Sequence, residues 1–246
     1  MIVKKVAIIT GASRGIGKEI AIGLSKAGYK VIVNYCNRKD LAEKVVEEIS
    51  SNGGEGFPVK ADVSKINEVK ELISTTLDKY NRIDVLVNNA GIYKDSTIVK
   101  MDNKTWNDVI NVNLTGTFNC TKEALKHMIK RKEGRIVNIS SVVGQIGIFG
   151  TSNYSASKAG LFGLTKAVSK EVATKGITVN SLCLGYFETG MLKQLPKNIQ
   201  KDILNQIPMK RFGSLPEVVD VLAFLCSPSA GYITGQIIHI NGGYYM

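Results

Sequence analysis

Val6-Ala7-Ile8-Ile9-Thr10-Gly11-Ala12-Ser13-Arg14-Gly15-Ile16-Gly17 is the stretch that decides the fold of this chain. Four consecutive apolar residues read as a buried strand, and Thr10 closes it. A helical pattern follows the glycine-rich turn, through Ala27 and Gly28. Strand, glycine turn and helix together make a holder for a dinucleotide pyrophosphate. Glycine lets backbone approach the phosphates, and the helix N-terminus offers free N–H groups and a positive dipole end. The spacing is G-x-x-x-G-x-G, not G-x-G-x-x-G. A turn serving strand–helix packing alone would carry similar glycines, but its place directly after the first strand favours nucleotide binding.

Outward from this unit the pattern repeats. Strand patterns lie near residues 4–9, 30–35, 57–61, 83–88, 134–139, 177–182 and 236–240, with helical patterns in most intervals. Continuous apolar strands alternating with helices predict a parallel sheet covered on both faces, and right-handed crossovers make it doubly wound. The expected fold class is therefore α/β, with about seven strands. No linker, repeat or low-complexity segment divides the chain, so 1–246 reads as a single domain. The long irregular region, 185–216, is broken by Pro196, Pro208 and Gly213. It follows the sixth strand and would cover the carboxyl ends of the strands, where ligands of α/β sheets bind.

Further motifs carry chemistry. In Tyr154-Ser155-Ala156-Ser157-Lys158 a tyrosine and a lysine four apart share one helix face. A tyrosine hydroxyl titrates near pH ~10, and a fixed ammonium beside it pulls that value down. Such a pair exchanges a proton with a carbonyl oxygen or an alcohol. Alone the spacing is common on helix surfaces; its company gives it weight. Asn88-Asn89-Ala90-Gly91 follows the strand Val85-Leu86-Val87, and Asn113 sits inside a long helical segment. Ile136-Val137-Asn138-Ile139-Ser140-Ser141 is a strand ending in serines, and Asn241-Gly242-Gly243 lies near the chain's end.

These motifs, in this order and spacing, resemble the short-chain dehydrogenase/reductase family over essentially the whole chain. Within it the chain is most similar to bacterial 3-oxoacyl-[acyl-carrier-protein] reductases and acetoacetyl-CoA reductases. Ser140-Ser141-Val142-Val143-Gly144 and Tyr232-Ile233-Thr234-Gly235 have the look of the first group. Asn153-Tyr154-Ser155 and Ile207-Pro208-Met209-Lys210-Arg211 lean toward the second. The resemblance implies a Rossmann-type fold and reversible hydride transfer between a nicotinamide and a carbonyl or alcohol. Tyr154 would be the general acid, Lys158 would lower its pKa and hold the nicotinamide ribose, and Ser141 would bind the substrate oxygen. Asn113 would order a water chain from Lys158 to solvent. For the cofactor, the resemblance implies Gly11, Ser13, Arg14, Gly15, Ile16 and Gly17 at the pyrophosphate. Asp62 and Val63 would meet the adenine, Asn89, Ala90 and Gly91 the adenosine ribose, and Thr189 the carboxamide. It also implies a homotetramer and a substrate loop within 185–216.

Cofactor choice turns on the end of the second strand, Val33-Asn34-Tyr35-Cys36-Asn37-Arg38. No acid stands there to bind a ribose 2′-hydroxyl, and Arg14 and Arg38 are placed to hold a 2′-phosphate. The expected cofactor is NADP(H), in NADPH-dependent reduction of a 3-oxoacyl thioester on carrier protein. The alternatives are acetoacetyl-CoA reduction, or a dehydrogenase for another alcohol such as a sugar or steroid. Leu184-Gly185 stands where the family has Pro-Gly, which removes a fixed φ beside the nicotinamide and predicts a looser backbone.

The formal charge of +11 fits an anionic ligand or an acidic carrier protein as well as a solvated lysine surface. Lys130-Arg131-Lys132 and Lys175 match the carrier-docking positions of the resembled reductases. Nothing resembles a recognition helix, so no nucleic acid is expected. Met1-Ile2-Val3-Lys4-Lys5 runs straight into the first strand, which predicts no signal peptide, and no apolar run is long enough for a bilayer. Cys36, Cys120, Cys183 and Cys226 are scattered and His127 and His239 lie apart, so neither a disulfide framework nor a metal site is expected. A reducing cytoplasm is the natural setting.

Overall fold

The computed structural model describes residues 4–188, 192 and 196–246. Seven parallel strands form one sheet in the order β3-β2-β1-β4-β5-β6-β7. They are β1 (Val6–Ile9), β2 (Lys30–Tyr35), β3 (Glu55–Lys60), β4 (Val85–Asn88), β5 (Gly134–Ser141), β6 (Ile177–Leu184) and β7 (Ile237–Ile240). The described helices are α1 (Gly15–Lys26), α2 (Lys39–Ser51), α3 (Ile66–Tyr80), α4 (Asn103–Ile110), α5 (Gly116–Arg131), α6 (Val143–Ile146), α7 (Ser152–Val172), α8 (Lys197–Gln206) and α9 (Leu215–Cys226).

Successive strand residues point to opposite faces, so each apolar strand feeds two cores. Ala7 and Ile9 of β1 pack with Ile20 and Leu24 of α1, Val45 and Ile49 of α2, and Val218 and Leu222 of α9. Val6 and Ile8 face the other way, toward Leu72 of α3, Met128 of α5 and Val172 of α7. Helices thus cover both faces, and the sheet is doubly wound as expected. The chain reverses its strand order between β1 and β4, and the crevice that opens there is where α/β sheets bind ligands.

Two local features differ from the sequence expectation. Asn113 lies in a π-helical turn, Asn111–Thr115, between α4 and α5, not in regular helix. Such turns rotate a side chain out of the helical register. At the end of β6, Leu184 lies in regular strand. It is buried and pairs with Ser141 on one side and Ile240 on the other. Val142 donates to the Leu184 carbonyl at 2.8 Å, and Gly185 donates to Ile240 at 2.9 Å. Leucine retains the backbone N–H that proline lacks, so this residue continues the strand. Beyond it, Glu188 donates to Gly213 and Gly213 to Tyr186, closing the base of the 185–216 region.

Candidate active site

The glycine turn and the Asn88–Gly91 segment form one hydrogen-bonded unit. The Thr10 hydroxyl accepts from Asn89 N and Ala90 N, each at 3.0 Å. The Asn89 amide donates back to Thr10 O at 2.9 Å and to Gly11 O at 3.1 Å. Gly11 has φ +62°, and a Cβ on it would stand 2.9 Å from the Ala90 Cα. At Gly17 a Cβ would collide with the Asn89 side chain and the Gly11 carbonyl. Gly15 differs: its φ is +57° and nothing lies within 4 Å of where its Cβ would be. Two glycines therefore serve close packing, and the third opens the head of α1.

That opening suits a pyrophosphate. Arg14 is the N-cap of α1 and makes no side-chain cap, so the first-turn N–H groups have no acceptor from a capping side chain. They point with the positive end of the helix dipole toward the space beside Gly15. Ser13 and Ile16 flank it, Ile16 half-buried against the core. The residues present fit the phosphate group of a dinucleotide. Asn34, which the sequence reading left without a role, braces the turn: its Oδ1 accepts from Gly11 N at 3.1 Å, and its amide donates to Val59 and Ala61 carbonyls. A buried polar residue inside an apolar strand was the available signal.

Toward the adenosine end, Asp62 and Val63 follow β3. One Asp62 oxygen is already engaged by Ser64, accepting from its N at 3.0 Å and its hydroxyl at 2.7 Å. Val63 is buried against the start of α5, where a Cβ on Gly116 would lie 2.6 Å from it. The end of β2 carries no acid, and Tyr35 is buried. Arg14 is exposed. Arg38 is exposed as well, but its guanidinium is gripped by Asp40 through bonds of 2.9 and 2.7 Å. The Arg38 side chain holds the Asp40 carboxyl at about 2, well below the usual range. Arg38 must release Asp40 before its fork can grip a phosphate.

The chemical end is built from β5, α7 and the π turn. Ser141 ends β5, Tyr154 lies in the first turn of α7, and Lys158 is one turn further. Lys158 is 5% exposed. It donates to the Ile139 carbonyl at 2.7 Å and stands 5.6 Å from the centre of the Tyr154 ring. Burial holds its ammonium down to about 8. The Tyr154 phenol is pushed up to about 12 by burial, with the Ser141 hydroxyl hydrogen-bonded to it acting in the opposite direction. The expectation that Lys158 lowers the tyrosine's pKa is therefore not met here. The ammonium spends its contact on Ile139, and desolvation of the phenol wins. Ser141 also accepts from Val143 N at 3.2 Å, so it caps the strand end as well as touching the tyrosine.

Asn113 is 1% exposed. Its Oδ1 accepts from Ile92 N at 2.8 Å, and its amide donates to Ile92 O at 3.0 Å and Ser157 Oγ at 3.1 Å. It thus fixes the segment after Gly91 against α7. Asn153 was missed as a site residue. Its Oδ1 accepts from Tyr154 N at 2.7 Å, and its amide donates to Lys94 O at 3.0 Å. Gly91 lies beside both machineries: a Cβ there would be 3.4 Å from Asn113 Oδ1 and 3.7 Å from Lys158 Nζ. Thr189 lies outside the described residues. Among the described residues no three His, Cys, Asp or Glu groups converge on a metal position, and no helix is long and apolar enough to cross a membrane.

A glycine turn suited to a dinucleotide at the β1/β4 crevice, and a half-buried serine and tyrosine with a buried lysine beside it, fit a nicotinamide oxidoreductase, and the chain belongs to the short chain dehydrogenase family, whose profile matches residues 5–200. It is an oxidoreductase with NADP(H) as cofactor. Similar along nearly its full length is the 3-oxoacyl-[acyl-carrier-protein] reductase of Staphylococcus epidermidis, 48% identical over 242 residues, covering 98% of this chain and 99% of that protein. The protein of the same name from Staphylococcus aureus strain Mu50 is 46% identical, with 98% of each chain covered. That from Synechocystis is 49% identical over 243 residues, covering 98% of this chain and 97% of its own.

Proposed function

We propose that this protein reduces a 3-oxoacyl thioester to the 3-hydroxyacyl thioester with NADPH, as a step of fatty acid synthesis. The observation that carries the reading is the pair formed by Ser141 and Tyr154. It holds a protonated phenol and a second hydroxyl where one carbonyl oxygen can meet both. The bound nicotinamide supplies the hydride. Tyr154 gives its proton to the oxygen as negative charge develops there, and Ser141 donates to the same oxygen and fixes its position. A phenol kept protonated at neutral pH is the correct starting state for reduction, because the developing alkoxide is far more basic. The Lys158 ammonium, beside the ring but hydrogen-bonded to the Ile139 carbonyl, holds the nicotinamide ribose. Asn113 keeps one Oδ1 lone pair for a water between Lys158 and solvent. Gly11, Ser13, Arg14, Gly15, Ile16 and Gly17 hold the pyrophosphate, and Asp62, Val63, Asn89, Ala90 and Gly91 the adenosine. The test is NADPH oxidation with 3-oxoacyl thioesters on carrier protein and on CoA. A chain that turns over neither, but oxidises a polyol or steroid, has another substrate.

NADPH is preferred over NADH in this reading because the end of β2 is neutral and two arginines lie near it. Tyr35 is unsuitable for a charge test, since an acid there would be buried. Replacing both exposed arginines, Arg14→Gln with Arg38→Gln, is expected to reduce the NADPH-to-NADH ratio of kcat/KM by roughly 10- to 100-fold, each lost solvent-exposed contact costing about 1 kcal/mol. A ratio that stays unchanged removes the arginines from cofactor choice.

The carrier-docking lysines have an unexpected position. Lys132 caps the end of α5 just before β5, and Lys175 just precedes β6. Both therefore lie at the amino ends of the strands, whereas Ser141 ends β5. Eight strand residues span about 26 Å, and the 21 residues of α7 from the Tyr154 turn to its far end span about 30 Å. A carrier docked on Lys130, Arg131, Lys132 and Lys175 faces the wrong end of its own sheet. It serves Tyr154 of another subunit in the homotetramer, or the substrate is acetoacetyl-CoA and needs no docking. Lys132→Glu with Lys175→Glu separates the two. Carrier docking predicts a KM raised at least about tenfold for the carrier-bound substrate and unchanged for acetoacetyl-CoA. An equal effect on both substrates removes docking at this face. The unpaired cysteines, Cys36, Cys120, Cys183 and Cys226, fit a single-domain cytoplasmic enzyme.

A further inference from the structure

Tyr93 stands edge-on against the Tyr154 ring, with centroids 5.2 Å apart and planes at 85°. Its backbone neighbours are both pinned. Asn113 grips the N–H and C=O of Ile92, and Asn153 grips the Lys94 carbonyl. Two residues further on, Ser96 N donates to Gly150 O at 2.9 Å, tying the segment to the loop before α7. The Tyr93 hydroxyl hydrogen-bonds the Asp95 carboxylate, and the ring is 45% exposed. A loop this heavily tied presents one side chain to the reacting residue, and two buried asparagines serve to hold it there. Asn153 grips both parts, accepting from Tyr154 N while it donates beside Tyr93.

We propose that Tyr93 is a positioning residue, which holds the Tyr154 ring in the orientation that aims its hydroxyl at the substrate oxygen and shields it from water. This rests on Tyr154 as the proton donor, not on the identity of the substrate. Perpendicular aromatic pairs have favourable quadrupole geometry, and the strength of one such pair corresponds to a change of roughly tenfold in the population of the aligned ring. Truncating Tyr93 frees the ring and admits water to the phenol. Better solvation stabilises the phenolate, so the Tyr154 pKa falls.

The test uses Tyr93→Ala and Tyr93→Phe with acetoacetyl-CoA, together with an ultraviolet titration of the cofactor-free protein that isolates Tyr154 by difference from Tyr154→Phe. Expected for Tyr93→Ala are a kcat about tenfold lower, an NADPH dissociation constant and thermal midpoint close to wild type, and a Tyr154 titration moved to lower pH. Tyr93→Phe, which keeps the ring, is expected to restore both kcat and titration. If Tyr93→Ala raises KM alone, the ring is a wall of the substrate site and the proposal falls. If Tyr93→Phe behaves like Tyr93→Ala, the hydroxyl–Asp95 bond is what matters and the proposal also falls. An Ala variant that does not fold is replaced by Tyr93→Leu, which fills the space without the aromatic edge and is expected to lose kcat and shift the titration in the same direction. Failure of the wild type to reduce acetoacetyl-CoA overturns that substrate alone, since the titration needs no substrate.

Discussion

Tyr154→Phe is expected to lower turnover of the 3-oxoacyl thioester by at least ~100- to 10,000-fold, the range typical of losing a general acid. NADPH affinity should stay near wild type, because the phenyl ring keeps the packing against Tyr93 and the hydroxyl is the only group removed. The residual rate comes from Ser141 and from the positioned hydride donor. The pH dependence has a definite sign. With the phenol pushed up to about 12, reduction does not lose its acid across the neutral range. Oxidation of the 3-hydroxyacyl thioester needs the phenolate, so its rate climbs with pH. Stopped-flow turnover in both directions measures this. A Phe variant with near-full kcat, or an oxidation rate that falls as pH rises, removes Tyr154 from proton transfer.

Lys158→Met is expected to abolish most turnover, again by ~100-fold or more, while making the cofactor-free protein more stable at neutral pH. Lys158 is buried, and its folded-state pKa is about 8 against an ordinary 10.5. Between those values the unfolded chain holds the extra proton and the folded one does not, so wild-type stability rises with pH across that window. Below it the buried charge costs the full amount, about 3 kcal/mol at one pKa unit per ~1.4 kcal/mol. Loss of the hydrogen bond to Ile139 offsets about 1 kcal/mol of the gain. The net stabilisation is about 1–2 kcal/mol below pH 8 and fades toward 10.5. Urea unfolding at both ends of the window reads it directly. A Met variant that is less stable at neutral pH shows that the ammonium is well solvated in the fold. An unchanged difference at high pH shows that its charge is not the cause.

Both predictions come from the same physical situation. The pair proposed to transfer the proton is placed where water is scarce, and the fold bears the desolvation. The expense is carried by neighbours that stiffen the site: Asn113 on Ile92, Asn153 on Lys94 and Tyr154, and Thr10 with Asn89 under the glycine turn. Asn113, Asn153 and Thr10 are buried and Asn89 is half-buried, and each has hydrogen-bond partners, which is why it can be rigid without being destabilising.

The sequence by itself determined the sheet and the class of cofactor, and it named the side chains proposed to react. Periodicity of two against 3.6 is a local property, so seven strands and the helices between them were legible from residue spacing alone. The glycine turn was legible too, because only glycine tolerates the φ of Gly11 and Gly15 and the contact at Gly17. Tyr154 and Lys158 were readable since a helix fixes their separation. What depends on residues distant in sequence was not readable. Asn113 is named by resemblance alone, and its local pattern shows neither the π turn nor the bonds that tie it to Ile92, 21 positions away. Arg38 reads as an available cation until Asp40 is seen in its fork. Lys158 reads as a partner that lowers the Tyr154 pKa until the Ile139 carbonyl accepts its hydrogen bond and burial dominates. Lys132 and Lys175 read as docking sites, and only the direction of β5 and β6 puts them at the far end from Ser141. Local spacing sets which elements form and which side chains share a face. Hydrogen-bond partners, burial and the charge states that follow from burial are set by what the tertiary fold brings alongside.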